Sequence, residues 1–233
     1  AVFETMRALF PMLQVIAHAY GTTAPTPYIS TCSIVDGVNS QCVLRALETD
    51  GVVALSNVRG LALARGEALC SVAECAAKDE ELTMRTVVLP DGTGRRSFGT
   101  STVRGVPNSL SASACPTLED ATAPLRALVD HTARRFLASL EAIVDKSQPL
   151  MTSRDKKIYS SLADVAHDGD QLEHFHTYAP PQSNANVGSA QAVPLHTDAG
   201  LFIAFVPALY LERSPLNGAR CQRKSSSDHK AVD

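Results

Sequence analysis

The hydrophobic pattern of this 233-residue chain changes period near Pro149, and that change limits the folds open to it. Before it, apolar residues recur at helical intervals. After it, they alternate or run in short blocks. Leu118 to about Val144 is predicted as a long amphipathic helix. Leu125, Leu128, Val129, Phe136, Leu137 and Leu140 form its stripe, with Thr117 ahead of it and Pro124 near its start. Ser40 to Thr49 reads as a shorter helix with Val43, Leu44 and Leu47 on one face, ended by Asp50-Gly51. Leu61 to Ala77 reads as another helix. Gly51 to Leu55 and Arg85 to Leu89 are predicted strands, and a turn at Asp91-Gly92 with Gly94 returns the second into a partner from Arg95 to Thr102. Beyond Pro149, Leu172 to Tyr178 alternates as a strand, 179–190 is a Pro/Asn/Gly/Ser loop, and 192–198 and 201–211 are predicted strands. The fold class is therefore α+β, a helical N-terminal region followed by a sheet or partial barrel.

Composition narrows the function. Trp is absent and aromatics make up 5% of a chain that is 45% hydrophobic, so the core must be built from Ala, Leu and Val. A formal net charge of -3 provides no basic field, which excludes a sequence-blind nucleic-acid partner. No apolar run reaches the roughly 20 residues that span a bilayer. Residues 1–31 carry a leader-like pattern. Arg7 precedes an apolar stretch from Ala8 to Ala17, and Ala17-His18-Ala19 supplies a small-x-small site. This reads as a secretory signal starting at Met6 or as an ordinary buried helix, giving a secreted or a cytoplasmic protein respectively. Six cysteines without a Cys-x-x-Cys pair argue against structural zinc. Their even number fits disulfides in an oxidising compartment. The alternative is scattered thiols, with Cys70 and Cys75 as core residues on one helix. The remaining divisions are a mainly helical region at 32–149, a sheet region at 150–211, and a polar Ser/Lys/Arg-rich tail at 212–233.

The segment richest in chemistry is Val193-Pro-Leu-His196-Thr-Asp198-Ala-Gly200. Residues i and i+2 of a strand share a face. An imidazole and a carboxylate would therefore point together, as two of the three ligands of a facial 2-His-1-carboxylate Fe(II) site. His174 and His176 also share a strand face. With His196 and Asp198 they make a four-ligand set of the cupin type, unless one of them is an ordinary barrel residue, which is the reading preferred here. Asp91-Gly-Thr-Gly94 lacks the Lys-Ser/Thr of a phosphate loop and reads as a hairpin turn. Arg134-Arg135 reads as a solvated helix face.

Three blocks resemble the Fe(II)/2-oxoglutarate-dependent dioxygenases of the isopenicillin-N-synthase-like group. Leu44-Arg-Ala-Leu47-Glu-Thr-Asp-Gly51-Val-Val-Ala-Leu55 is similar to the family's opening helix and strand. His176-Thr-Tyr178-Ala-Pro180-Pro181 resembles its Asn-Tyr-Tyr-Pro-Pro strand end, with His176 standing where the family has Asn. His196-Thr-Asp198 resembles its metal-binding pair. The resemblance spans roughly Cys42 to Leu211. It implies a jelly-roll (double-stranded β-helix) core, Fe(II) held by His196 and Asp198, and 2-oxoglutarate as cosubstrate contacted by Tyr178. The implied activity is oxidation of a small-molecule substrate, coupled to decarboxylation of 2-oxoglutarate to succinate.

The family also has a distal His followed by Arg-x-Ser. Residues 199–233 contain one histidine, His229, and an Arg223-Lys-Ser225 that precedes it in the wrong order. The expectation is a C-terminally truncated barrel, partial after Leu211, with little or no turnover. The alternative is a non-catalytic secreted binding or structural protein on the same scaffold.

Overall fold

The computed structural model describes residues 29–35, 37–78, 85–89, 92–103, 106–107, 115–143, 150–151, 156–169, 171–179 and 201–211. They form a mixed α+β structure of helices α1 (Ser40–Asp50), α2 (Leu61–Lys78), α3 (Leu118–Glu141) and α4 (Leu162–Asp168) with separate small sheets. The strands are β1 (Thr31–Ser33), β2 (Ala54–Ser56), β3 (Arg85–Val88), β4 (Gly94–Val103), β5 (Val106–Pro107), β6 (Leu150–Met151), β7 (Ile158–Tyr159) and β8 (Gln171–Ala179). Among the described residues no helix is long and apolar enough to cross a membrane. The chain divides into two units that interleave in sequence, and α3 contributes its first turns to one and its later turns to the other.

One unit is built on a strand–helix–strand turn. β1 and β2 pair in parallel with Thr31 opposite Ala54, Cys32 opposite Leu55 and Ser33 opposite Ser56. A parallel pair needs a crossover, and α1 supplies it. Asn39 caps α1 by accepting from the Cys42 amide at 3.0 Å. At the other end Gly51 sits at φ 68°, a left-handed position that glycine adopts without Cβ strain, and its N–H reaches the Leu47 carbonyl. The helix end predicted at Asp50-Gly51 is thus made by a glycine cap.

Val43 and Leu47 of α1 are buried with Cys32, with Leu137 and Leu140 from the later part of α3, and with Leu162 of α4. The Cys32–Cys42 disulfide ties β1 to α1. The short α4 carries two N-terminal acceptors. Ser161 Oγ accepts from Asp164 N at 3.0 Å and Glu141 Oε2 from Leu162 N at 2.7 Å. β6 and β7 pair antiparallel beside it, with Leu150 opposite Tyr159. The sequence pattern between 150 and 171 predicts none of these three elements, because each is too short to show a period.

The other unit holds a four-stranded sheet in which β4 is the hub, pairing with β3, β5 and β8. β3 and β4 form the hairpin predicted from Asp91-Gly92-Thr93-Gly94, with Val87 opposite Arg95 and Val88 opposite Gly94. Gly92 takes φ 82° in the turn, and its N–H donates to the Leu89 carbonyl at 2.8 Å. β8 runs antiparallel to β4. His176 meets Ser97, His174 meets Gly99 and Ala179 approaches Gly94, so one strand's numbering falls as the other's rises. Val72 and Cys75 of α2, Leu118 of α3 and Phe175 of β8 make the core under this sheet. The Cys75–Cys115 disulfide joins α2 to the residues entering α3, and Cys70 is also disulfide-bonded. The described cysteines are therefore bonded rather than scattered thiols.

The expectation of a strand over 201–211 is corrected. These residues carry no helix or strand, and most are exposed, Phe205 and Tyr210 strongly so. The physical reason is visible in the backbone acceptors. Arg65 of α2 donates from one Nη atom to the carbonyls of Pro207 and Ala208, both at 3.0 Å. A guanidinium satisfies oxygens that a ladder would otherwise use, and Pro207 has no N–H to offer a neighbour. Helix α3 also stops at Glu141 rather than near Val144.

Candidate functional site

The residues with the most chemistry lie on β8, and the strand's alternation explains why they share one face. Glu173 and Phe175 point inward. Phe175 enters the core, while Glu173 receives Arg126 of α3 in a two-pronged ion pair, from Nε at 2.9 Å and Nη2 at 2.7 Å. Arg126 is 9% exposed and also donates to Thr122 Oγ1, so a largely buried network fixes the register of β8. The opposite parity, Leu172, His174, His176 and Tyr178, therefore faces outward, and all four are exposed.

The neighbouring strand β4 sorts its residues in the same way. Arg96 turns toward α2, where it donates to the Ala76 carbonyl, and Thr100 and Thr102 are buried. Arg95, Ser97 and Gly99 have the other parity and accompany the β8 imidazoles. Ser97 Oγ lies 2.7 Å from His176 Nδ1. Gly99 makes room for the His174 ring. A Cβ there would stand 2.4 Å from His174 Cδ2 and 2.8 Å from Nε2. The His174 and His176 ring centroids are 5.8 Å apart, and those of His176 and Tyr178 are 6.4 Å apart. Partial desolvation first, then the proximity of His174 and of Arg95, lowers the His176 pKa from 6.5, which favours the neutral imidazole.

Of the sequence-predicted site residues, the structure places Tyr178 on this outer face at 56% exposure. His196 and Asp198 lie outside the described residues. Among the described residues no group of three or more His, Cys, Asp or Glu side chains converges as a metal site. Arg95, Ser97, Gly99, Arg126 and Glu173 belong to the face or its support and were not singled out from sequence. A signal for the first three exists in the alternation of β4, but it becomes readable only once the β4–β8 register is known. The donor set of Tyr178, His176 and Arg95 combines a phenol, an imidazole and a guanidinium. The phenol and the guanidinium of this set can hold a carboxylate-bearing small molecule.

No family model matches the chain, and neither a curated protein nor a solved structure matches it.

Proposed function

We propose that this chain is an oxygenase-like protein of the Fe(II)/2-oxoglutarate type, with its metal ligands at His196 and Asp198 and its cosubstrate contact at Tyr178. The observation that carries the reading is the outer face of β8. There Tyr178 neighbours His176, which in turn has Arg95 close to it, on the strand that precedes the His196-Thr-Asp198 segment in sequence. The donor chemistry fits the cosubstrate. 2-Oxoglutarate is a dianion, and a phenol O–H or a guanidinium can hold one of its carboxylates. His196 and Asp198 would hold the metal, whose bound form supplies the oxidising chemistry. The strands would be the described part of a jelly roll. Two disulfides, Cys32–Cys42 and Cys75–Cys115, favour an oxidising compartment and hence a secreted protein.

A third donor beside His196 and Asp198 would fix the facial geometry of the metal. The test is anaerobic Fe(II) binding and succinate release from 2-oxoglutarate with ascorbate, comparing the unmodified chain with His196→Ala, Asp198→Ala and Tyr178→Phe. Binding lost in the first two and a raised requirement for 2-oxoglutarate in the third support the reading. Fe(II) binding and succinate release unchanged in all three variants would sink it, as would a chain that neither binds Fe(II) nor responds to 2-oxoglutarate. A disulfide-bonded binding protein would then be the better description.

A further inference from the structure

We propose that His174 and His176 form a separate site for one borderline divalent transition metal, of the zinc, copper or nickel class, on the outer face of the β4–β8 ribbon. The inference goes beyond the oxygenase reading and does not depend on His196 or Asp198. The register of β8 places both imidazoles on one face, and both are exposed to a metal arriving from solvent.

The distances decide whether one ion can join them. Metal–nitrogen bonds of about 2.0–2.1 Å put each ring centroid about 3.2 Å from the ion. Two rings sharing an ion are then about 4.6 Å apart at a square angle and about 5.2 Å apart at a tetrahedral one, with an upper limit near 6.4 Å. The observed 5.8 Å lies inside that limit, roughly half an ångström beyond tetrahedral. Rotations of the exposed side chains cover the difference without moving the backbone.

Two features outside the pair prepare it. Ser97 Oγ engages His176 Nδ1 at 2.7 Å, which fixes the ring and leaves Nε2 as the outward nitrogen. A hydrogen bond to the second nitrogen is the usual way that a ligating histidine is oriented. Gly99 removes the one side chain that would strike the His174 ring, at 2.4 Å from its Cδ2, so that ring can lie against β4. Imidazole nitrogen is the preferred donor for zinc, copper and nickel, while Mg²⁺ and Ca²⁺ prefer oxygen. Among the described residues no third His, Cys, Asp or Glu joins the pair, and the proposed site consists of these two imidazoles.

The experiment titrates Cu(II) alone into the full chain against glycine as competing chelator, with electron paramagnetic resonance reporting the number of bound nitrogens. The expected result is one bound equivalent with two imidazole nitrogens. Binding should be abolished by His174→Ala and by His176→Ala, and weakened about tenfold by Ser97→Ala through loss of ring orientation. It should be unchanged by His196→Ala. Circular dichroism melts of each variant verify folding, and because both histidines are exposed the melts should match the parent. Retention of the signal in either β8 variant overturns the proposal, and so does its loss in His196→Ala. That last substitution separates this site from the Fe(II) site, since each can fail while the other survives.

Discussion

Replacing Arg126 by Met tests whether the α3–β8 ion pair is what presents the β8 face. Arg126 and Glu173 have 9% and 20% of their side chains exposed, and their contacts are 2.7 and 2.9 Å. Met restores much of the volume of the arginine stem but strands the Glu173 carboxylate beneath α3. Removing one partner of a buried pair costs about 3–5 kcal/mol. Because a fifth of Glu173 stays wet, the lower end applies, about 3 kcal/mol. For a chain of this size each kcal/mol lowers the melting temperature by about 2–4 °C, so Arg126→Met should melt about 6–12 °C early. Arg126→Met with Glu173→Met leaves no stranded charge and should recover most of the loss, so the two single costs together should exceed the cost of the double by several kcal/mol in a double-mutant cycle. Urea unfolding measures the energies, and the imidazole resonances of His174 and His176 report the face. Singles that each cost under about 1 kcal/mol and add without coupling would refute the reasoning, because the pair would then behave as an exposed bridge.

His176 should titrate below 6.5, chiefly because it is partly buried and secondarily because of His174 and Arg95. Its unfolded form binds a proton first, so this group makes stability fall as pH drops from 6.5 through the folded pKa, with no contribution above 6.5. Histidine NMR checks this, and His174→Ala should move the value back up. A His176 that titrates above 6.5 contradicts the assignment. Cys75→Ser with Cys115→Ser opens a loop of 40 residues, which by chain entropy alone should cost about 4 kcal/mol. A melting temperature unchanged from the oxidised parent would show that the bond constrains nothing.

The sequence by itself determined the elements whose signals are local. The stripe from Leu125 to Leu140 predicts α3, Asp50-Gly51 marks the end of α1, and Asp91-Gly92 marks the β3–β4 hairpin. Each depends on a side-chain period or a backbone conformation set by a few neighbouring residues. The alternation from Leu172 to Tyr178 likewise predicts β8 and groups His174, His176 and Tyr178 on one face. Which face is outward was not legible, because Glu173 on the inner face is charged while Leu172 and Tyr178 on the outer face are largely apolar. Only the tertiary structure decided that, by meeting Glu173 with Arg126 from 47 residues away. The same holds for Ser97 beside His176, which depends on strand register, and for the parallel pairing of β1 with β2 across a helix. The segment 201–211 shows the converse. Its apolar run predicts a strand, but a run of apolar residues does not provide a neighbouring edge. With Arg65 taking two of its carbonyls, those residues stay irregular. Local conformation is written in neighbouring residues. Long-range pairing depends on partners that local pattern does not specify.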